Sequence, residues 1–322
     1  MIHIALCHDD YYAPHAATVI ASVMANNQKD DITFHIISEG ISDGSKNEML
    51  SWVSKQGALI KFYEVNIKDF EIFPFEPNAR LHYGAYFRLI LGDILTDIER
   101  VIYLDCDLIV NGSLCQLWNE DIKDYALAGI RDRVNDYVRL YNRLRYPMLD
   151  GYINSGVMLI NLKRWREDNF FEKAKQIAQI MPLALKNHDQ DIINIIYHGQ
   201  IKMLDFKYNL LEYYLYVEEW LNMDRRYYPE IIRACHEPVI IHFCMPVKPW
   251  HYECINPFKN LYYKYKAMTP WPEVRLIHRK EKLSAKMRLK QFLGKLGLYH
   301  IEVKPTLRKD INVIEDPDNV LF

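Results

Sequence analysis

VIYLDCDLIV, residues Val101–Val110, is an apolar run broken in the middle by Asp105, Cys106 and Asp107. Two carboxylates inside such a run are costly to desolvate unless something compensates them. Alternate residues of an extended chain point the same way, so both carboxylates can face one point. A divalent cation there would neutralise the pair. An all-oxygen set suits Mg²⁺ or Mn²⁺, which bind through one or two carboxylates plus a substrate phosphate. The competing reading is a loop with two solvated aspartates, since D-x-D often arises by chance. Its position at the end of a buried strand favours the metal.

Reading outward from this strand, the chain alternates. Ile2–Cys7 is a short apolar run suited to a strand buried on both faces. Ala16, Val19, Ile20, Val23 and Met24 recur at helical spacing. Ile32–Ser38 reads as the next strand, and Asp43–Lys55 as a helix capped by Ser42 or Asp43. Leu59–Val65 is a third strand, a helix is expected around His82–Leu91, and Val101–Leu104 is a fourth strand. This order predicts an α/β fold with a mostly parallel central sheet and flanking crossover helices. Ligands then sit beyond the carboxyl ends of the strands. Neither G-x-G-x-x-G nor G-x-x-x-x-G-K-[ST] occurs, which argues against a dinucleotide fold or a P-loop.

The composition of the 322 residues fits this reading. Half are hydrophobic and 25% charged, so a large core is available and disorder of the body is excluded. The 23 Tyr, 13 Phe and 6 Trp fit sugar or aromatic ligands, or simply a Tyr-rich core and surface. No stretch nears the ~18 consecutive apolar residues of a membrane span. Met1–Asp10 reads as a strand rather than a signal peptide. Six cysteines without a C-x-x-C suggest reduced thiols and a cytoplasmic location. A zinc site built from Cys235, His236, His242, Cys244 and Cys254 matches no standard finger spacing.

Charge is uneven. Residues 275–309 hold 11 Lys/Arg and two acids, a net +9, which leaves 29 basic and 40 acidic residues, −11, elsewhere. The expected division is a catalytic domain over 1–269 and a basic, helical tail over 270–322. Leu276, Leu283 and Met287 share one helical face, while Leu289, Phe292, Leu293 and Leu296 lie nearly opposite, so two short helices fit better than one. Such a tail suits an anionic membrane surface, and the competing reading is docking on the acidic body. Nothing interleaves aromatic with basic residues near the D-x-D, so no nucleic-acid partner is expected.

Two more stretches carry chemistry. In VIIHFCMPVKPW, Val239–Trp250, an apolar strand ends at His242, with Lys248 following. The imidazole can complete a carboxylate metal site, and the ammonium can meet phosphate charge. In DGYINSGVMLINLKRW, Asp150–Trp165, Asn154 and Ser155 are sugar-hydroxyl partners or plain turn formers. Asp189 and Gln190 of HDQDIINIIY fall at a helix start, where a capping role competes with a chemical one.

Six segments in order, ALCHDDYY, YFRLILGDI, YLDCDLIV, INSGVMLINLKRWR, HDQDIIN and HFCMPVKPWH, resemble glycosyltransferase family 8 from about Ile2 to Tyr265. The likeness is to bacterial lipopolysaccharide galactosyl- and glucosyltransferases, and more distantly to glycogenin. It implies a GT-A fold with a nucleotide-binding N-terminal half, UDP-sugar donors, Mn²⁺ and retention of configuration. By that resemblance Asp105, Asp107 and His242 bind the metal. Cys7, His8 and Asp9 lie beside uracil and ribose, and Cys106 falls within the same donor site. Arg88, Asp132, Asn154 and Ser155 meet the donor, Lys248 holds the diphosphate, and Asp189 and Gln190 stand beside the reacting sugar as the catalytic pair. Two positions depart from the family pattern: Tyr11, where many relatives have Asn, and Met245, where they usually have Gly.

The function expected is therefore metal-dependent, retaining transfer of galactose or glucose from a UDP-hexose to a glycan or glycolipid acceptor. That acceptor would belong to cell-surface polysaccharide or lipopolysaccharide. The alternatives are a self-glycosylating primer that uses one of its own tyrosines, and a non-catalytic nucleotide-sugar-binding protein. The location expected is cytoplasmic, peripheral at the membrane face.

Overall fold

The computed structural model describes residues 1–74, 83–216 and 224–279. β1 (Ile2–Cys7), α1 (Ala13–Asn26), β2 (Ile32–Ser38), α2 (Asp43–Lys55) and β3 (Leu59–Glu64) follow one another as the apolar periodicity requires. Ser42 caps α2 by accepting from the Ser45 amide. The helix expected at His82–Leu91 is a 3-10 helix over Tyr83–Ile90, followed by the single turn α3 (Leu91–Ile94); His82 itself lies outside the described residues. In a 3-10 helix residues i and i+3 eclipse. Tyr86 and Leu89 can thus share one buried edge, while Ala85 and Arg88 share another.

The chain then runs through β4 (Arg100–Leu104), β5 (Leu108–Val110), α4 (Cys115–Trp118), β6 (Leu127–Arg131), α5 (Val138–Leu144), β7 (Ile153–Asn161), α6 (Leu162–Glu167), α7 (Phe170–Ile180), α8 (His188–Tyr197) and β8 (Ile201–Met203). It continues with β9 (Leu210–Leu211), α9 (Tyr228–His236), β10 (Ile240–His242) and α10 (Lys259–Lys266). The main sheet has seven strands in the order β3-β2-β1-β4-β7-β6-β8. It is mixed. β3, β2, β1 and β4 are parallel to one another, and β7 runs antiparallel to both β4 and β6. A second sheet, β5-β10-β9, has three short strands.

The D-x-D lies where the chain passes from one sheet to the other. The Asp105 amide still donates to the Gly156 carbonyl of β7, at 2.8 Å, which extends the main-sheet ladder. Two residues later the Asp107 carbonyl accepts from the Phe243 amide, at 2.9 Å, beside the β5–β10 pair. Large cores pack on both faces of the main sheet, and Tyr86, Tyr103, Tyr197 and Tyr214 are fully buried in them. Much of the tyrosine content is therefore structural. No described helix is long and apolar enough to cross a membrane. Residues 270–279 lie along the body: Trp271 packs on the core, and Ile277 bridges in parallel to His251. Positions 280–322, which include most of the basic segment, lie outside the described residues.

Candidate active site

Asp105, Asp107 and His242 place one ligand atom each within 4.8 Å of one another, the one such group of metal-ligating side chains among the described residues. His242 Nε2 lies 3.1 Å from Asp107 Oδ1 and 3.8 Å from Asp105 Oδ2. The ring orientation is set from behind. Asn154 Nδ2 donates to Asp132 Oδ2 and to Gln190 Oε1, both at 3.1 Å, which turns Asn154 Oδ1 toward Asn209. Asn209 Nδ2 donates to that oxygen at 2.9 Å, so its own Oδ1 accepts from His242 Nδ1 at 3.0 Å. Nε2 is thereby the ring nitrogen turned to the carboxylates, an outer support of the kind that orients metal-binding imidazoles.

Space for the cluster is made by Gly156. A Cβ there would lie 2.2 Å from His242 Cε1 and 2.7 Å from Asp105 Oδ2. Two carboxylates, one imidazole and a cradle that only glycine permits fit a divalent cation of the Mg²⁺ or Mn²⁺ class.

Each aspartate has its own cation. Arg88 reaches Asp105 Oδ1 at 2.9 Å and Asp189 Oδ2 at 3.1 Å, and donates to the Ser155 carbonyl at 2.8 Å. The Tyr103 hydroxyl adds a 2.9 Å bond to the same Asp105 oxygen. Lys248 Nζ meets Asp107 Oδ2 and the Phe243 carbonyl, each at 2.6 Å. Burial pushes the Asp107 carboxyl up, but Lys248 and His242 outweigh it and hold it well below the usual range. At Asp189 burial wins: its carboxyl is raised, although Arg88 and the Ser155 hydroxyl pull it down.

Gln190 joins the far wall. Its Oε1 accepts from Asn154 Nδ2 and from the Ser155 amide, and its Nε2 donates to Asp132 Oδ2 at 3.2 Å. His188, immediately before this pair, has φ 50°, an uncommon left-handed backbone for a residue bearing a side chain. Asp189 is not a simple cap, since its Oδ2 is taken by Ser155 Oγ at 2.8 Å and by Arg88.

On the other side, Cys7, His8 and Asp9 line a cavity of about 180 Å³ together with Arg88, Asp105 and Asp107. His8 is buried, its Nδ1 is 2.9 Å from the Asp9 carbonyl, and burial pushes its pKa down. Burial pushes the Cys7 thiol up to about 12. Cys106 turns into the core, its thiol donating to the Cys7 carbonyl at 3.5 Å. A larger hollow of about 620 Å³, walled by Trp52, Gln56 and Met268, contains none of these residues. Convergent charge, not size, marks the site.

The residues that the resemblance assigns to metal and donor lie in or against this cluster, whereas Cys235 of the zinc alternative is buried in the core and Tyr11 is exposed. Sequence reasoning missed Asn209, Tyr103 and the role of Gly156. Tyr103 lies two residues before Asp105 on one face of the strand. An isolated glycine in an apolar strand signals close approach. Asn209 left no local signal.

Residues 3–254 match the glycosyl transferase family 8 model. The chain belongs to glycosyltransferase family 8. General stress protein A of Bacillus subtilis (strain 168) is 30% identical to this family 8 chain over 278 residues, covering 84% of it and 95% of that protein. A lipopolysaccharide 1,2-glucosyltransferase of Escherichia coli is 31% identical over 275 residues, with 83% and 78% covered. The solved structure of galactosyltransferase LgtC, in complex with donor and acceptor sugar analogues, superposes with a TM-score of 0.76 at 28% identity, covering 84% of this chain and 96% of that one. The family 8 chain is thus a hexosyltransferase. Its family implies a nucleotide-sugar donor and a divalent metal, which the Asp105–Asp107–His242 group fits.

Proposed function

We propose that this enzyme transfers galactose or glucose, with retention, from a UDP-sugar to a glycan or glycolipid acceptor of the cell surface. The observation that carries the reading is the convergence of Asp105, Asp107 and His242 on one point, with Lys248 at 2.6 Å from Asp107. Relatives named as a lipopolysaccharide glucosyltransferase and a galactosyltransferase support the hexose and the acceptor class.

Asp105, Asp107 and His242 would hold Mn²⁺, with Mg²⁺ as substitute. When bound, the ion supplies Lewis-acid neutralisation of the diphosphate. Lys248 swings from Asp107 to the diphosphate and stabilises the charge that builds there as the sugar–oxygen bond breaks. Cys7, His8 and Asp9 form the nucleoside end of the site, with Cys106 backing Cys7 from the core side. Arg88, Asp132, Asn154 and Ser155 orient the sugar, directly or through Gln190 and Asp189. Arg88 and Ser155 fix Asp189 in place, so the carboxylate serves the reacting face rather than capping α8. The catalytic domain is taken as 1–269 and the enzyme as cytoplasmic, with the basic 275–309 segment peripheral at the membrane.

Purified protein incubated with Mn²⁺ and a panel of UDP-sugars tests this reading. Slow hydrolysis of UDP-galactose or UDP-glucose above the others is expected. No turnover of any UDP-sugar, or equal turnover in excess chelator, refutes it.

A further inference from the structure

Two turns away from the cleft present leucines to solvent. Pro147 opens the 3-10 turn Met148–Asp150, in which Leu149 is 99% exposed and Met148 40%. Pro182–Ala184 forms the second turn; Leu183 is 93% exposed there, and Ile180, at the end of α7, 73%. These side chains are not part of an incomplete core. The small cluster beneath the first turn, Leu140, Tyr141, Leu144, Tyr146 and Tyr152, is buried without them.

The turns are fixed to one layer. Arg143 of α5 donates to the Ala184 carbonyl and pairs with Asp191 of α8. Asp150 pairs with His198 at 2.7 Å, and the His198 ring stacks on Tyr146 with centroids 4.9 Å apart. The same layer backs the active site. Asn187, between Lys186 and the start of α8, donates to the Tyr152 hydroxyl at 2.9 Å, and Asp189 and Gln190 follow directly.

The unpaired charge on the segments that carry the leucines is basic. Residues 137–149 contain Arg139, Arg143 and Arg145 and no acid, and residues 180–188 contain Lys186 and no acid. Arg139, Arg145 and Lys186 are exposed and form no ion pair among the described residues. Of the acids that flank these windows, Asp191 pairs with Arg143, Asp189 with Arg88, Asp150 hydrogen-bonds to His198, and Asp136 accepts from the Asp224 amide. Exposed apolar tips on segments that carry uncommitted cations complement an anionic leaflet, where the tips enter the headgroup boundary and the cations meet lipid phosphates. Four apolar side chains offer a few hundred Å² at most, against about 800 Å² per partner in a stable protein interface. Lipid insertion needs only the tips.

We propose that the 147–149 and 182–186 turns form a lipid-facing surface that inserts Leu149 and Leu183 into an anionic leaflet. It deepens the glycolipid-acceptor reading and rests on it for its purpose, but its binding does not depend on donor chemistry. The test uses the full chain and vesicles of phosphatidylcholine with or without phosphatidylglycerol. In Leu149→Trp and Leu183→Trp proteins the added indole is expected to shift to the blue with anionic vesicles and to be quenched by brominated acyl chains, relative to the parent. The double variant Leu149→Glu, Leu183→Glu is expected to partition about tenfold more weakly while hydrolysing soluble UDP-sugar at the parent rate. The surface is refuted if the added tryptophans stay unquenched while the protein sediments, because the basic tail then suffices. It is also refuted if the parent binds no anionic vesicle at low salt, or if the glutamates leave partitioning unchanged and abolish a dimer instead. Absent UDP-sugar hydrolysis with intact tryptophan quenching would count against the donor reading and leave the surface standing.

Discussion

Arg88 and Lys248 each pair with one aspartate of the D-x-D, but they are built differently. Arg88 is enclosed, its planar fork shared among Asp105, Asp189 and the Ser155 carbonyl. Lys248 is a point charge on a flexible, partly buried stem, with Asp107 and the Phe243 carbonyl as partners. A guanidinium spread over several fixed acceptors keeps its geometry, whereas an ammonium can exchange one anion for another with little rearrangement. The Arg88 side is therefore a floor, and the Lys248 side is where incoming phosphate can displace a carboxylate.

The largest effect expected is loss of chemistry without loss of fold. Asp107→Ala should abolish sugar transfer while its circular dichroism spectrum stays near the parent's and its melting midpoint falls by only a few degrees. Chelation should reproduce the loss, and Mn²⁺ should reverse it for the parent alone. Residual transfer in the variant would mean that the Lys248 side is not the reactive one.

Arg88→Met tests the floor. It strands Asp105 and Asp189 in a buried site, and breaking such a pair costs about 3–5 kcal/mol. Urea denaturation should show that drop, and Arg88→Lys should recover only part of it because one ammonium cannot span both carboxylates. Stability within about 1 kcal/mol of the parent would erase the contrast.

Lys248→Ala should do the reverse. A charge-assisted contact to phosphate is worth roughly 1.5–3 kcal/mol, so kcat/KM should fall more than about tenfold. Its urea midpoint should fall less than that of Arg88→Met, because His242 still faces Asp107. An unchanged kcat/KM would show that Lys248 serves Asp107 only.

The smallest effect separates the two sides by sign. Asp107 has a lowered carboxyl, so its contribution is present above the unfolded value of about 3.9 and is lost as pH falls through the folded one. Asp189 is raised, so its folded form holds the proton more tightly and stability drops as pH rises from the unfolded value through the folded one. In chelator, Asp107→Asn should cost roughly 1 kcal/mol or more at pH 7 and progressively less in acid. Asp189→Asn should gain on the parent as pH rises from 4 to 7. Parallel pH–stability curves for the two variants would contradict the assignment.

Much of this site was legible because it lies at strand ends. Asp105, Asp107, His242 and Lys248 follow apolar runs, where a charged residue needs an explanation. Arg88 and Asp132 came only from resemblance, since nothing in their neighbourhoods distinguishes them from ordinary polar residues. The direction of β7 was hidden because a buried strand reads the same in parallel or antiparallel pairing. Asn209 was hidden for another reason. Its role is to turn a ring contributed by a strand 31 residues further on, and no local pattern records that.

The passage of the chain between sheets at Asp105–Asp107 has a mechanical consequence. Asp105 is laddered to the seven-stranded sheet through Gly156, while Asp107 and His242 belong with the three-stranded one. Between the two aspartates the backbone crosses the seam at Cys106. An ion gripped from both banks would act as a rivet, resisting shear of the small sheet against the large one. Occupancy would then be readable as rigidity, in slower amide exchange along β10, before any sugar is present.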